Sequence, residues 1–571
     1  MTTRTASSMT PGRKTKTICS LLTFVLAAHA DDTLDTMTAG LTDAMAQLAQ
    51  QADPAYYVAW ELVENAETSI QGTHGAQAGI TESLVRRLDV DVRVGTMARD
   101  NTHKIRDASW VSEASRPSFL APLNGPRGVL RALLLRGTDD AYRNARARLI
   151  KVLANDVVKV EREDTSDDFA PAPVVVVDTQ PPGWTVDQAA WTDLTRETSA
   201  LYLDFPIVYD SAVQLALSTS TRWLVNNEGT RIHDGRKHAR VATWGSTVAE
   251  DGMQLQVYDY VDVASAEQLP DRAAVAEMVR GVGARLTELR AAPTMDPWSG
   301  PAILRGRASG VFFHEIFGHR VEGHRQKDED EGQTFTSRVG QAILPDFLSV
   351  TDDPSIERIG STDLNGHYRY DDEGVAAERV PLVQAGILRN FLMSRMPVKG
   401  FPRSNGHGRR QPGNAVVARQ GNLIISASAS VPYATLRTQL LAEVRKQGRE
   451  FGLIFDDISG GFTFTGRSTP NAFNVSPVTV WKIFPDGRPD QLVRGVDMIG
   501  TPLTTFSRII AASDEIDVFN GVCGAESGWV PVSASAPSLL VKEVEIQRRE
   551  KANDRPPVLS PPGLPAVGRA P

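Results

Sequence analysis

The stretch 309-SGVFFHEIFGHRVEGH-324 places three histidines and two glutamates inside an otherwise apolar, helix-patterned run. His314 and His319 stand five residues apart. In a regular α-helix each residue advances by about 100°, so such positions diverge by about 140° and cannot meet. A π-bulge would widen the turn and return both to one face. Gly318, beside the second histidine, is a point where that distortion costs little. The spacing therefore predicts an irregular helix between Phe313 and His319. The plain alternative is a straight amphipathic helix with partly buried histidines. Burying two imidazoles and a carboxylate among Val311, Phe312, Phe313, Ile316 and Phe317 is expensive unless they are paired or metal-bound, which favours a site.

The elements around this helix set the fold class. Ahead of it, helical spacing is expected over 31–51, 138–162, 186–201 and 271–290, with strands at 56–64, 88–94, 207–217, 223–226 and through 241–263. The segment 163-EDTSDDFAPAP-173 reads as an exposed connector, and 291-AAPTMDPWSGP-301 as a domain boundary. Beyond that boundary the chain turns β-rich, apart from the motif helix and another near 431–447. Hairpins are expected at 379–392, with Gln384-Ala385-Gly386 at the tip, and at 478–493, where Pro485-Asp486-Gly487 supplies turn chemistry. The expectation is an α+β protein. A mixed α/β N-terminal domain (31–295) precedes a β-rich C-terminal domain (296–549) carrying the histidine helix, and a Pro-rich disordered tail (550–571) follows.

At 571 residues the chain has length for two full cores. Its first thirty residues hold Arg4, Arg13, Lys14 and Lys16, an apolar segment from Ile18 to Ala28, and Ala28-His29-Ala30 before Asp31. That order is the signature of a secretory signal peptide, so export to the periplasm or outside is expected. Without those four cations the formal charge of −8 becomes −12. Such acidity is a poor match to phosphate backbones, so nucleic acid is not expected as a partner. No further segment is long and apolar enough to span a bilayer. Of the two cysteines, cleavage would leave Cys523 alone, without an internal disulfide partner. It is either a small buried hydrophobe or a ligand.

The chemistry of the histidine run suits a metal. Zinc takes neutral imidazoles or thiolate, commonly three protein ligands with a water at a catalytic site. A carboxylate beside that water can accept its proton and return it to a leaving amine. Residues 314-HEIFGH-319, continuing as 320-RVEGH-324, resemble the TldD/PmbA family of metallopeptidases. The resemblance extends to 370-YDDEGVAAERV-380, 459-SGG-461 and 519-FNGVCGAESGWVPVSASAPSLLV-541, and covers much of the C-terminal half. It implies that His314, His319 and Cys523 hold Zn2+ and that Glu315 is the catalytic acid/base. The complete His-Glu-His set places the chain on the catalytic, TldD-like side. It further implies hydrolysis of unfolded or short peptides in extended conformation, and a homodimer or a heterodimer with a related subunit.

Alternatives stay open at this point. His324 is the rival third ligand, and as a fourth ligand it would close the site and favour a non-catalytic zinc-containing binding partner. A metal-dependent hydrolase of a non-peptide amide would use the same residues. Glu322 is either a group orienting an imidazole or a surface carboxylate. The run 327-KDEDE-331 reads as a solvated loop, and His407 as part of an exposed glycine-rich loop. His233 and His238 have no evident companion ligands.

Overall fold

The computed structural model describes residues 30–105, 117–156, 164–181, 183–463, 465–466, 473–549 and 559. The expected signal segment, apart from Ala30, and the Pro-rich tail, apart from Leu559, lie outside them. So does 157–162 of the helix expected over 138–162.

Two sheets organise the chain. The first has eight strands and is built around a long antiparallel set in the order 76–96, 55–73, 210–226 and 231–248, with 254–263 on the far side. These strands are longer than the apolar alternation in the sequence indicates. Ala55–Thr73 and Ala76–Thr96 run on through polar residues as a hairpin ribbon, and the segments expected at 207–217 and 223–226 form one strand, Asp210–Asn226. Ladder pairing, rather than side-chain pattern, extends them: Ala55–Thr73 and Asp210–Asn226 pair on both sides, and 76–86 follows its hairpin partner. Helices Ala30–Leu48 and Arg127–Asp156 share a core with one face, through Leu34, Met37, Leu41, Trp60, Leu134 and Leu149. Helices Gln188–Ser199 and Arg272–Ala291 cover the other part, and Asp187 and Asp271 cap them by accepting from backbone amides of their first turns.

The second sheet has eleven strands and begins at Trp298. Five of them, Trp298–Leu304, Gly452–Thr463, Phe473–Ile483, Val496–Gly500 and Gly528–Arg548, pair in a closed ring, because the first also pairs with the last. Strand Ile509–Ala525 forms a long hairpin with Gly528–Arg548. Both hairpins read from turn chemistry are present: Ala385 and Gly386 take positive φ between Val380–Gln384 and Ile387–Leu388, and Phe473–Ile483 pairs with Gln491–Val493. The fold is mixed α+β.

Helix Gly306–Ile316 leaves the end of Trp298–Leu304 and is buried at nearly every position. Phe312 and Phe313 pack against Phe506 at ring-centroid distances of 5.8 and 5.3 Å, and Phe312 against Phe473 at 5.8 Å. This aromatic cluster fixes the helix that carries His314 and Glu315. The first sheet meets loops of the C-terminal half through ion pairs and hydrogen bonds. Arg410 binds Glu61 and Asp89, and Arg395 binds Glu228 at 2.7 Å. Arg222 holds Asp234 at 2.9 Å and donates to the Asp371 carbonyl at 2.8 Å.

Candidate metal centre

The irregularity expected after Phe313 is present, but it is not a π-bulge. The α-helix ends at Ile316, Phe317 departs to φ −105°, and Gly318–Val321 continue as a tight 3-10 turn. Termination of the helix, rather than widening, redirects His319. The carbonyls that the break orphans are bonded by side chains. Gln420 Nε2 donates to the His314 carbonyl at 3.3 Å, and Arg320 Nη1 to those of Glu315 and Ile316 at 3.3 and 3.0 Å. Gly318 is required for a different reason from flexibility: a Cβ there would lie 1.9 Å from Gln420 Oε1.

The break brings the two imidazoles together, with ring centroids 5.1 Å apart. Cys523, from strand Ile509–Ala525, joins them with Sγ 3.4 Å from His319 Nε2. One ligand atom from each of His314, His319 and Cys523 falls within 4.8 Å of the others, and all three residues are buried. His314 Nδ1 is buried and bonded by no protein group. Two imidazoles and one thiol, drawn together with an imidazole nitrogen left unpaired, fit a borderline-soft cation such as zinc and not an oxygen-seeking one.

The electrostatics prepare the same set. Burial pushes the Cys523 thiol up, but His319 and His314 outweigh it and hold the thiol well below its ordinary range. Burial likewise works against a charged His319, and the Cys523 thiolate and Glu322 overcome it and raise the imidazole well above its usual value. Glu322, fully buried, settles the choice left open by the sequence. Its two carboxylate oxygens lie 3.2 and 3.3 Å from His319 Nδ1, which turns Nε2 toward Cys523. Arg325 Nε donates to Glu322 at 2.8 Å and Arg419 Nε stands 3.4 Å away. Burial raises the Glu322 carboxyl, yet His319, Arg325 and Arg419 hold it at about 2.

His324 is not part of this cluster. It pairs with Glu526, and Arg325 Nη2 donates to the same carboxylate at 2.9 Å. His324 therefore belongs to an ionic group behind the site, joined to it through Arg325 and Glu322. Arg325, Arg419, Gln420 and Glu526 escaped the sequence reading, because nothing in their local pattern distinguishes them from other polar residues. Glu315 is half-buried, and a Cβ at Gly461 would stand 3.1 Å from its Cγ. The glycine-rich 459-SGG-461 thus lies beside the carboxylate. His407 corrects another expectation: it is fully buried and bonded to Asp352 at 3.2 Å, not exposed. His233 stacks on Trp223 and pairs with Asp178, while His238 pairs with Asp262.

A family model described as the PmbA/TldA metallopeptidase C-terminal domain matches residues 298–548. Over these residues the chain matches the TldD/PmbA family. It is 30% identical over 254 residues to a protein named metalloprotease TldD homolog from Haemophilus influenzae, covering 43% of this chain and 48% of that one. It is 24% identical over 341 residues to a metalloprotease from Methanothermobacter thermautotrophicus, covering 59% and 70%. The chain therefore spans about half the length of the Haemophilus relative. The solved TldE from Thermococcus kodakarensis superposes with a TM-score of 0.59 at 11% identity over 90% of this chain and 100% of that one. This shows a shared fold that includes the N-terminal sheet, which the family model does not reach.

Proposed function

We propose that this chain, with its TldD/PmbA-family C-terminal domain, is a zinc-dependent peptidase in which His314, His319 and Cys523 hold the metal and Glu315 moves the proton. The observation that carries it is the convergence of two buried imidazoles and a thiol, with a half-buried carboxylate next to the first ligand. Zinc, when bound there, supplies Lewis acidity toward a water and a peptide carbonyl. Glu322 orients His319 and Arg419 braces the Cys523 carbonyl by donating to it at 2.9 Å. Glu315 accepts the proton of the attacking water and delivers it to the departing amine.

Substrates are unfolded or short peptides in extended conformation. Residues 458–461 of Gly452–Thr463 ladder only with Phe473–Ile483 among the described residues, and run past Glu315. An edge of this kind binds a peptide through its backbone, with little side-chain preference. Pairing of His324 with Glu526 supports an open coordination position over a site closed by four protein ligands. By family resemblance the working form is a homodimer or a heterodimer with a related subunit. The basic and apolar residues of 1–30 support export.

The test is cleavage of a pool of unfolded peptides by zinc-loaded protein, with and without a chelator, beside Glu315→Gln. Loss of cleavage in both the chelated protein and the variant is expected. Equal cleavage by Glu315→Gln overturns the assignment.

A further inference from the structure

Several inward-facing arginines among the described residues are paired with acids. Arg222, Arg325, Arg395 and Arg410 each hold at least one carboxylate. On the face of strand Arg231–Val248 that meets the second sheet, Asp234 binds Arg222, and His238 and Arg240 share Asp262 at 2.9 and 2.7 Å. Arg236, between them, departs from this pattern. Its Nη2 donates to the carbonyl and the side-chain oxygen of Asn365, at 3.1 and 2.7 Å, and no carboxylate among the described residues pairs with it.

Arg409 is the second exception. It is 5% exposed, and its Nη1 donates to the carbonyls of Gln420 and Pro531 at 2.6 and 2.7 Å. Its guanidinium lies 4.6 Å from the centroid of the Tyr368 ring, again without a carboxylate among the described residues. Burial, and then the charge of Arg409, push Arg236 down to about 10, with Asp372 the acid acting against them. Asp372 is already engaged, since it accepts from the Arg410 amide at 2.7 Å and stands 3.5 Å from Arg222. Nε and Nη1 of Arg236 and Nε and Nη2 of Arg409 have no protein acceptor among the described residues. An anion held by both side chains would satisfy these nitrogens and offset their charge.

Their position gives the anion a meaning. Asn365, which holds Arg236, donates to the Gly521 carbonyl at 2.9 Å. Gly521 is two strand residues, roughly 7 Å, before Cys523. Pro531, which accepts from Arg409, pairs with Val522 across the hairpin, and Gln420 reaches from Arg409 to the His314 carbonyl.

We infer that Arg236 and Arg409 form a carboxylate-binding subsite beside the metal centre, and that the peptides processed there carry a carboxylate a few residues from the bond to be cleaved. The planar fork of a guanidinium matches a carboxylate in two-point fashion, and a peptide offers one at its C-terminus or on an acidic side chain. The inference rests on the peptidase reading above, so its test has a binding arm that does not need turnover.

Three matched unfolded peptides serve as probes: a neutral sequence with a free C-terminal carboxylate, the same sequence as an amide, and the amide with one glutamate near its C-terminus. Cleavage by the zinc-loaded full chain gives kcat/KM. Calorimetry on Glu315→Gln gives Kd for the same three. At least one carboxylate peptide is expected to exceed the amide by about tenfold in both arms. Which of the two does so distinguishes a C-terminal from a side-chain source. Arg236→Gln should bring the ratio to about one, with Arg236→Lys recovering part of it. Binding discrimination without cleavage would refute the peptidase reading while upholding the subsite. Equal binding of all three peptides, or a preference that survives Arg236→Gln, overturns the inference.

Discussion

Replacing Glu322 by glutamine removes the one negative charge that three cationic or ligating groups share. In the folded protein His319 Nδ1, Arg325 Nε and Arg419 Nε all face this carboxylate, which is fully buried. Its pKa is held at about 2 against an ordinary 4.5, against the upward push of burial. A folded pKa below the unfolded one contributes stability that is fully present above about pH 4.5 and is lost as pH falls toward 2. At about 1.4 kcal/mol per pH unit, the contribution is on the order of 3 kcal/mol. Glutamine keeps an acceptor for one neighbour but carries no charge to balance Arg419 and a protonated His319, while Arg325 keeps Glu331 and Glu526. The metal-free variant should therefore be less stable than wild type at pH 7 by about that amount. It should also show a shallower loss between pH 4.5 and 2. Because the carboxylate fixes the His319 ring, zinc affinity should fall by about 10- to 100-fold. Denaturant unfolding of chelated protein across that pH range and competitive zinc titration read both effects. A variant as stable as wild type at pH 7, with the same acid slope, would refute the reasoning.

Gly461→Val should crowd Glu315, since a Cβ there already stands 3.1 Å from Glu315 Cγ and 2.9 Å from the Asn474 carbonyl. Peptide turnover is expected to drop about tenfold or more while zinc content, read by atomic absorption, stays at the wild-type value. Arg325→Met leaves Glu322, Glu331 and Glu526 without their shared cation. It is expected to cost about 3–5 kcal/mol in denaturant unfolding, whereas a change below about 1 kcal/mol would show that these carboxylates are balanced otherwise.

The sequence made some of this molecule legible and hid the rest for physical reasons. Helices with an apolar stripe and a capping aspartate, such as Arg272–Ala291 behind Asp271, can be read directly. So can hairpins whose tips need positive φ, as at Ala385 and Gly386. The long ribbons of the first sheet could not be read, because backbone pairing to a neighbouring strand carries them through polar residues that break the alternation. At the centre, His314, His319 and Glu315 stand in one short motif. The grouping of Cys523 with them rested on resemblance, since more than two hundred positions separate it from His319. The five-residue spacing announced an irregular backbone but not its form. A helix that stops at Ile316 and a bulged helix both satisfy it, and the stop depends on Gln420 and Arg320 bonding the freed carbonyls. His407 misled because its glycine-rich surroundings suggest an exposed loop, whereas Asp352 draws it inside.

The ligand set is the claim on which the rest depends, and cobalt(II) substitution tests it most directly. A thiolate bound to cobalt gives an intense charge-transfer band in the near ultraviolet that imidazole and carboxylate ligands do not produce. The cobalt-loaded wild-type protein should show the band at one equivalent of metal. Cys523→Ser should abolish it, and His324→Ala should leave it in place. A band that persists in Cys523→Ser, or one that disappears in His324→Ala while Cys523 is intact, would contradict a centre built from His314, His319 and Cys523.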